Sequence, residues 1–149
     1  MSELNNNPER VLTAMVTPFH ENGEINVDGT QELAKYLLAN GSDGLVLAGT
    51  TGESPTLTHR QQLDLFDIVR SAVGDNVHLV GGTGSNSTSE AIDLTRGATQ
   101  RGSVDELLVV SPYYNRPSQF GIADYYRQIA NATDLADELS SFFGKDLSI

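Results

Sequence analysis

The sequence predicts an α/β fold, with four successive strand–helix units laid on a parallel sheet. Three observations carry that prediction. Short apolar runs alternate with helix-period segments at a spacing of roughly 30 residues, the repeat of a βα unit with a right-handed crossover. The strands are nearly continuous in apolar residues, as parallel strands covered on both faces are. The helices open on capping residues and close on glycines.

The first strand reads Val11-Leu12-Thr13-Ala14-Met15-Val16 and is bounded by Thr17-Pro18. A turn follows around Glu21-Asn22-Gly23. Asp28, three residues before Gln31, fits an N-cap with its box partner. Leu33, Tyr36 and Leu37 then keep helical spacing, and Gly41 is the stop. Gly44 to Ala48 forms the second strand. Thr58 with Gln61 opens the second helix, whose apolar face is Leu63, Leu65, Phe66 and Val69 and whose stop is Gly74. Val77 to Val80 is the third strand. Ser87 with Glu90 is a capping box for the third helix, ended by Gly102. Glu106 to Val110 is the fourth strand, and a fourth helix is expected from about Ile122 to Ala132.

Two architectures use such units: an open doubly wound sheet, or half of a (β/α)8 barrel. A complete barrel takes ~250 residues, and the sequence has 149. Periodicity alone slightly favours the open sheet.

Composition narrows the function classes. A formal net charge of -11 argues against nucleic acid and anionic membrane surfaces. With no cysteine there is no disulfide framework and no thiolate zinc site. His20, His59 and His78 are scattered, so no metal is expected. The polar stretch Met1 to Arg10 lacks the apolar segment of a signal peptide. No apolar run reaches the ~18 residues of a membrane span. A soluble cytoplasmic protein is expected.

In both architectures ligands bind at the carboxyl ends of the strands. There the sequence places Thr17-Pro18, Gly49-Thr50-Thr51-Gly52-Glu53-Ser54, Gly81-Gly82-Thr83-Gly84-Ser85-Asn86 and Ser111-Pro112-Tyr113-Tyr114-Asn115-Arg116-Pro117-Ser118-Gln119. The opposite ends carry ordinary caps and turns. Glycines flanking Thr50 and Thr51 let the backbone approach a ligand, and hydroxyls with free N–H groups can bind a small carboxylate. The same loop can equally be a turn whose threonines satisfy local backbone groups. It is no nucleotide loop, since no Gly-Lys-Ser/Thr follows and Gly82-Thr83-Gly84 lacks a third glycine. Tyr113 and Tyr114 fit either proton transfer or packing. Arg116 fits a carboxylate ligand, a surface charge or a subunit contact.

Together these motifs resemble the dihydrodipicolinate synthase/N-acetylneuraminate lyase family, from about Val11 to Leu135. Thr17-Pro18-Phe19 resembles the family's opening strand end, and Gly49 to Ser54 its pyruvate-binding signature. Pro112 to Gln119 is closer to the dihydrodipicolinate synthase branch than to the sugar-acid lyases. The resemblance implies a partial TIM (β/α)8 barrel. Its first four βα units occupy residues 1–135, and a divergent tail, helical or poorly ordered, occupies 136–149.

The resemblance also implies Schiff-base chemistry, with no separate cofactor. A barrel lysine makes pyruvate an enamine, which attacks aspartate semialdehyde on the route to lysine and diaminopimelate. Thr51 would hold the pyruvate carboxylate. Thr50 and Tyr114 would relay protons, with Tyr114 reaching a neighbouring subunit's site across a tight dimer interface that Tyr113 helps to pack. The family assembly is a tetramer, a dimer of dimers. A lysine feedback site would map to Ser54, Pro55, His59, Asn86, Glu90 and Tyr113. Gln62 departs from the histidine that inhibited members often carry.

After Leu135 the resemblance stops. The family's fifth strand, with a proton-donor tyrosine, and its sixth, with the lysine, have no counterpart in Ala136 to Asp146. Of the two lysines, Lys35 lies on the polar side of the first helix and Lys145 in the tail. Three readings follow: a truncated lyase chain inactive alone, an active lyase completed by a partner's lysine, or a non-catalytic half-barrel that binds small carboxylates or a full-length partner. An aldolase of the N-acetylneuraminate lyase or keto-deoxy sugar acid type is the alternative within the family. Open edges at the first and fourth strands predict pairing of copies or cover by the tail.

Overall fold

The computed structural model describes residues 11–134. Met1 to Arg10, Leu135, the expected tail at 136–149 and Lys145 lie outside the described residues. Four strands, β1 (Leu12–Ala14), β2 (Gly44–Leu47), β3 (His78–Gly82) and β4 (Glu106–Leu108), alternate with four helices, α1 (Val27–Ala39), α2 (His59–Val73), α3 (Thr88–Arg101) and α4 (Gln119–Ala130). A short 3-10 turn, Ser54–Thr56, lies between β2 and α2.

All four strands are parallel and lie in chain order, β1-β2-β3-β4. A doubly wound sheet reverses its order at a switch point. This one never reverses, and each helix packs on the next, α1 on α2, α2 on α3 and α3 on α4. That is an arc of a (β/α)8 barrel, which corrects the open sheet favoured by periodicity alone. Strand composition cannot separate the two, because both bury their strands on two faces.

Register sorts the strand residues by face. Thr13, Leu45 and Leu79 are in register and turn toward the helices. There Leu45, Leu79, Leu107, Val69 and Ile129 are all 0% exposed, so the core lies between sheet and helices. On the other face Leu12 is 38% and Val16 50% exposed, and His78 Nε2 pairs with Glu106 Oε2 at 3.0 Å.

Most caps follow the sequence reading. Thr58 and Gln61 make the complete capping box, and Gly74 and Gly102 end their helices at positive φ. Four details differ. The N-cap of α1 is Asn26, whose side chain accepts from the Gly29 N–H; Asp28 sits in the first turn, and Gln31 reaches instead to Ser71 and the Ile68 carbonyl. Tyr36 is 63% exposed rather than on the apolar face, which Thr30 and Ala34 occupy. Ser87 caps α3, but Glu90 accepts from the Ser85 hydroxyl instead of closing the box. The fourth helix begins at Gln119 because Ser118 caps it, accepting from the Gly121 N–H at 3.2 Å.

Away from the site, Arg70 ties three elements together. Its guanidinium donates to the carbonyls of Ser103, Gly74 and Val77 and pairs with Asp105 at 2.6 Å. Asp105 also accepts from the Leu79 N–H at 2.8 Å, which fixes β3 and β4 at their N-terminal ends.

Candidate functional site

The chemically specific residues gather at the carboxyl ends of the strands, as the sequence places them. The loop after β2 is wound tightly. Ala48 and Glu53 both have left-handed backbones, at φ 48° and 59°, a conformation that costs a side-chain-bearing residue roughly 1–2 kcal/mol. Surrounding bonds impose it. The N–H groups of Glu53 and Ser54 donate to the carbonyls of Thr50 and Gly49, at 3.1 and 3.3 Å. The buried Thr17 hydroxyl donates to the Gly52 carbonyl at 2.8 Å. The Gln62 amide donates to the Ser54 carbonyl at 3.1 Å. Non-glycine residues held at positive φ cluster at functional sites.

This winding leaves Thr50 and Thr51 exposed at the loop's tip. Among the described residues neither hydroxyl is engaged in a hydrogen bond. The loop is therefore held by Thr17, Gln62 and backbone bonds, not by the two threonines that a simple turn would use.

Close approach of neighbouring strands explains two glycines. A Cβ on Gly82 would stand 2.2 Å from the Ala48 carbonyl oxygen, and one on Gly84 would stand 2.4 Å from the Val110 nitrogen. Both lie under contact distance with backbone, which cannot give way. The loops after β2, β3 and β4 are thereby pressed side by side.

The loop after β4 presents the tyrosines. Tyr114 is 95% exposed and left-handed at φ 70°, and Arg116 is left-handed at φ 46°. The Asn115 side chain donates to the Asn86 carbonyl at 2.8 Å, bracing this loop on the one after β3. Arg116 is exposed.

Beside these loops lies a cleft of about 110 Å³, lined by Ser54, Pro55, Leu57, His59, Gln62, Gly84, Ser85, Glu90, Leu94 and Tyr113. The structure thus brings together Ser54, Pro55, His59, Glu90 and Tyr113, five of the six residues that the family resemblance groups as a lysine site. Asn86 is not among the lining residues. Among the described residues Glu90 is the one carboxylate in the wall, and it accepts from the Ser85 hydroxyl at 3.0 Å. Gln62 is 6% exposed and donates an amide N–H to the Ser54 carbonyl.

Sequence reasoning missed Tyr125. Only 2% exposed, its hydroxyl accepts from the Ser85 N–H at 3.2 Å and donates toward the carbonyls of Ser85 and Val110, at 2.9 and 3.2 Å. Burial pushes its pKa up to about 12. The available signal was its place four residues before Ile129, on the buried stripe of α4, since a buried tyrosine needs a partner for its hydroxyl.

Among the described residues no three His, Asp or Glu side chains converge on a metal site. No described helix is long and apolar enough to cross a membrane.

Comparison with known proteins agrees with the fold. A 4-hydroxy-tetrahydrodipicolinate synthase of Moorella thermoacetica is 56% identical over 126 residues, covering 85% of this chain and 43% of the relative. The crystal structure of a dihydrodipicolinate synthase from Bacillus anthracis superposes with a TM-score of 0.81 at 45% identity, over 89% of this chain and 44% of that one. A lysine-bound synthase from Cyanidioschyzon merolae superposes with a TM-score of 0.80 at 46% identity, over 89% and 44%. The chain spans less than half the length of these relatives. The pattern of the dihydrodipicolinate synthetase family matches residues 7–141, and the chain belongs to that family.

Proposed function

We propose that this chain supplies one half of a Schiff-base lyase site that condenses pyruvate with aspartate semialdehyde. One observation carries the reading. The left-handed winding from Ala48 to Glu53 holds Thr50 and Thr51 outward, with hydroxyls that no other described group engages. A small carboxylate accepts hydrogen bonds and needs such donors.

In this reading Thr51 holds the pyruvate carboxylate, while Thr50 relays protons between two tyrosines, one of them the partner's Tyr114. Tyr114, almost wholly exposed, serves a neighbouring subunit in a dimer of dimers. The reaction needs an amine that is partly desolvated so that its pKa falls. Lys35 is exposed on α1, and Lys145 lies in the segment that departs from the family pattern. The nucleophilic lysine and the second tyrosine therefore come from strands beyond these four, and the chain alone is inactive. We place the work in the cytoplasm, in lysine and diaminopimelate biosynthesis.

The cleft holding Glu90 and His59 is read as the family's lysine site. Lysine is bound in the structure of the relative from Cyanidioschyzon merolae. Gln62 stands where inhibited members often carry a histidine, and it donates an amide N–H to the Ser54 carbonyl, so lysine binds weakly here.

Titrating pyruvate into the isotope-labelled chain tests the proposal. Shifts confined to the amides of Gly49 to Ser54, absent in Thr51→Val, support it. Shifts elsewhere, or none at millimolar pyruvate, count against the loop as a carboxylate site.

A further inference from the structure

Tyr125 takes no part in the proposed chemistry, yet its hydroxyl sits where two functional loops meet. It is bonded to both backbone groups of Ser85 and to the Val110 carbonyl, across 40 and 15 residues of chain. Ser85 belongs to the loop after β3 and lines the cleft. Its hydroxyl donates to Glu90 at 3.0 Å and accepts from the Ser87 N–H at 3.2 Å. Val110 follows β4 and leads through Ser111 and Pro112 into Tyr113 and Tyr114. At the same junction the backbones of Gly84 and Val110 lie too close for a Cβ.

The neighbouring Tyr126 provides a contrast. Its ring packs edge-on against Tyr125, 5.3 Å between centroids. Among the described residues its hydroxyl meets only the fourth-strand side, Val109 and Ser111. The two adjacent phenols thus do different work.

We infer that Tyr125 is a positioning residue. Its hydroxyl clamps the cleft wall carrying Ser85 and Glu90 to the stem of the segment that presents Tyr113 and Tyr114. A change at the cleft wall is then felt by the relay tyrosine, because both hang from one hydroxyl. This regulatory meaning rests on the proposed roles of the cleft and of Tyr114, whereas the clamp itself does not. Like any tyrosine, it is protonated at neutral pH, as a donor must be.

The test is residue-resolved amide exchange and tyrosine-ring NMR on the whole chain, comparing Tyr125→Phe with Tyr126→Phe. In Tyr125→Phe the Ser85 and Asn115 amides exchange at least tenfold faster together, and the Tyr113 and Tyr114 ring signals move. Amides of β2 stay as they were. Tyr126→Phe leaves Ser85 protected. A Tyr125→Phe protein in which only Ser85 responds, or a Tyr126→Phe protein with the same pattern, overturns the clamp. Should Tyr125→Phe not fold, the unaltered chain still decides. Its Ser85 and Asn115 amides must open with one free energy and one denaturant dependence, and separate openings overturn the inference. None of these readouts uses pyruvate, so a chain that binds no pyruvate but shows the coupled response loses the proposed function and keeps the clamp.

Discussion

The Thr17 hydroxyl donates to the Gly52 carbonyl at 2.8 Å, a buried bond spanning 35 residues. It joins the segment after the first strand to the loop that displays Thr50 and Thr51. The left-handed turn at Glu53 follows directly, so this bond helps to hold a conformation the loop would not choose alone.

Thr17→Val keeps the side-chain shape but leaves the Gly52 carbonyl without its donor. Chemical denaturation should show a loss of about 1–3 kcal/mol. Amide exchange should rise from Gly49 to Ser54 before it rises in the helices.

Gly82→Ala places a methyl against the Ala48 carbonyl oxygen. Neither strand can yield without opening the sheet. Overpacking of this kind costs about 1–3 kcal/mol or more. Thermal melting should show the loss, whereas Gly23→Ala, with open space around it but a positive φ, should cost less.

Arg70→Met should destabilise by about 2 kcal/mol, through three carbonyls that lose their donor. The ion pair adds little to that figure, because Asp105 is 41% exposed and solvent screens it. Urea midpoints for Arg70→Met, Asp105→Asn and the double variant, taken as a double-mutant cycle, measure how much the pair contributes.

Tyr125 gives the stability curve an alkaline limb. Its pKa in the fold is raised to about 12, above the ordinary tyrosine value of about 10. The unfolded chain therefore loses this proton first. Stability is fully present below the unfolded value and falls as pH rises through the folded one. Melting temperatures taken between these two values should fall less steeply in Tyr125→Phe than in the unaltered chain. Parallel slopes would show that other groups set the limb.

Much of this was legible in the sequence because it rests on local chemistry. Thr58 with Gln61, Gly74 and Gly102 are short-range signals, and the structure bears them out. The nearly continuous apolar strands gave a parallel sheet but not its curvature. Strand order decides that, and it depends on how each helix packs on the next. Asn26 displaced Asp28 as a cap because both residue types suit the position, and the two-residue difference is set by where the chain returns from Phe19 and Ile25, which bridge. At the site, the Gly49 to Ser54 loop was legible as a motif. Its winding was not, because Ala48 and Glu53 carry no sign of a left-handed backbone. Tyr125 was hidden for a similar reason, since its partners are backbone groups that a sequence does not display.

The most direct test of the central claim is the intact mass of this chain after incubation with pyruvate and borohydride, which reduces a Schiff base to a stable secondary amine. A chain that contributes the carboxylate loop but no nucleophile keeps its mass, even at pyruvate concentrations that shift the Thr50 and Thr51 amides. A pyruvate adduct mapped to Lys35 or Lys145 would contradict the account.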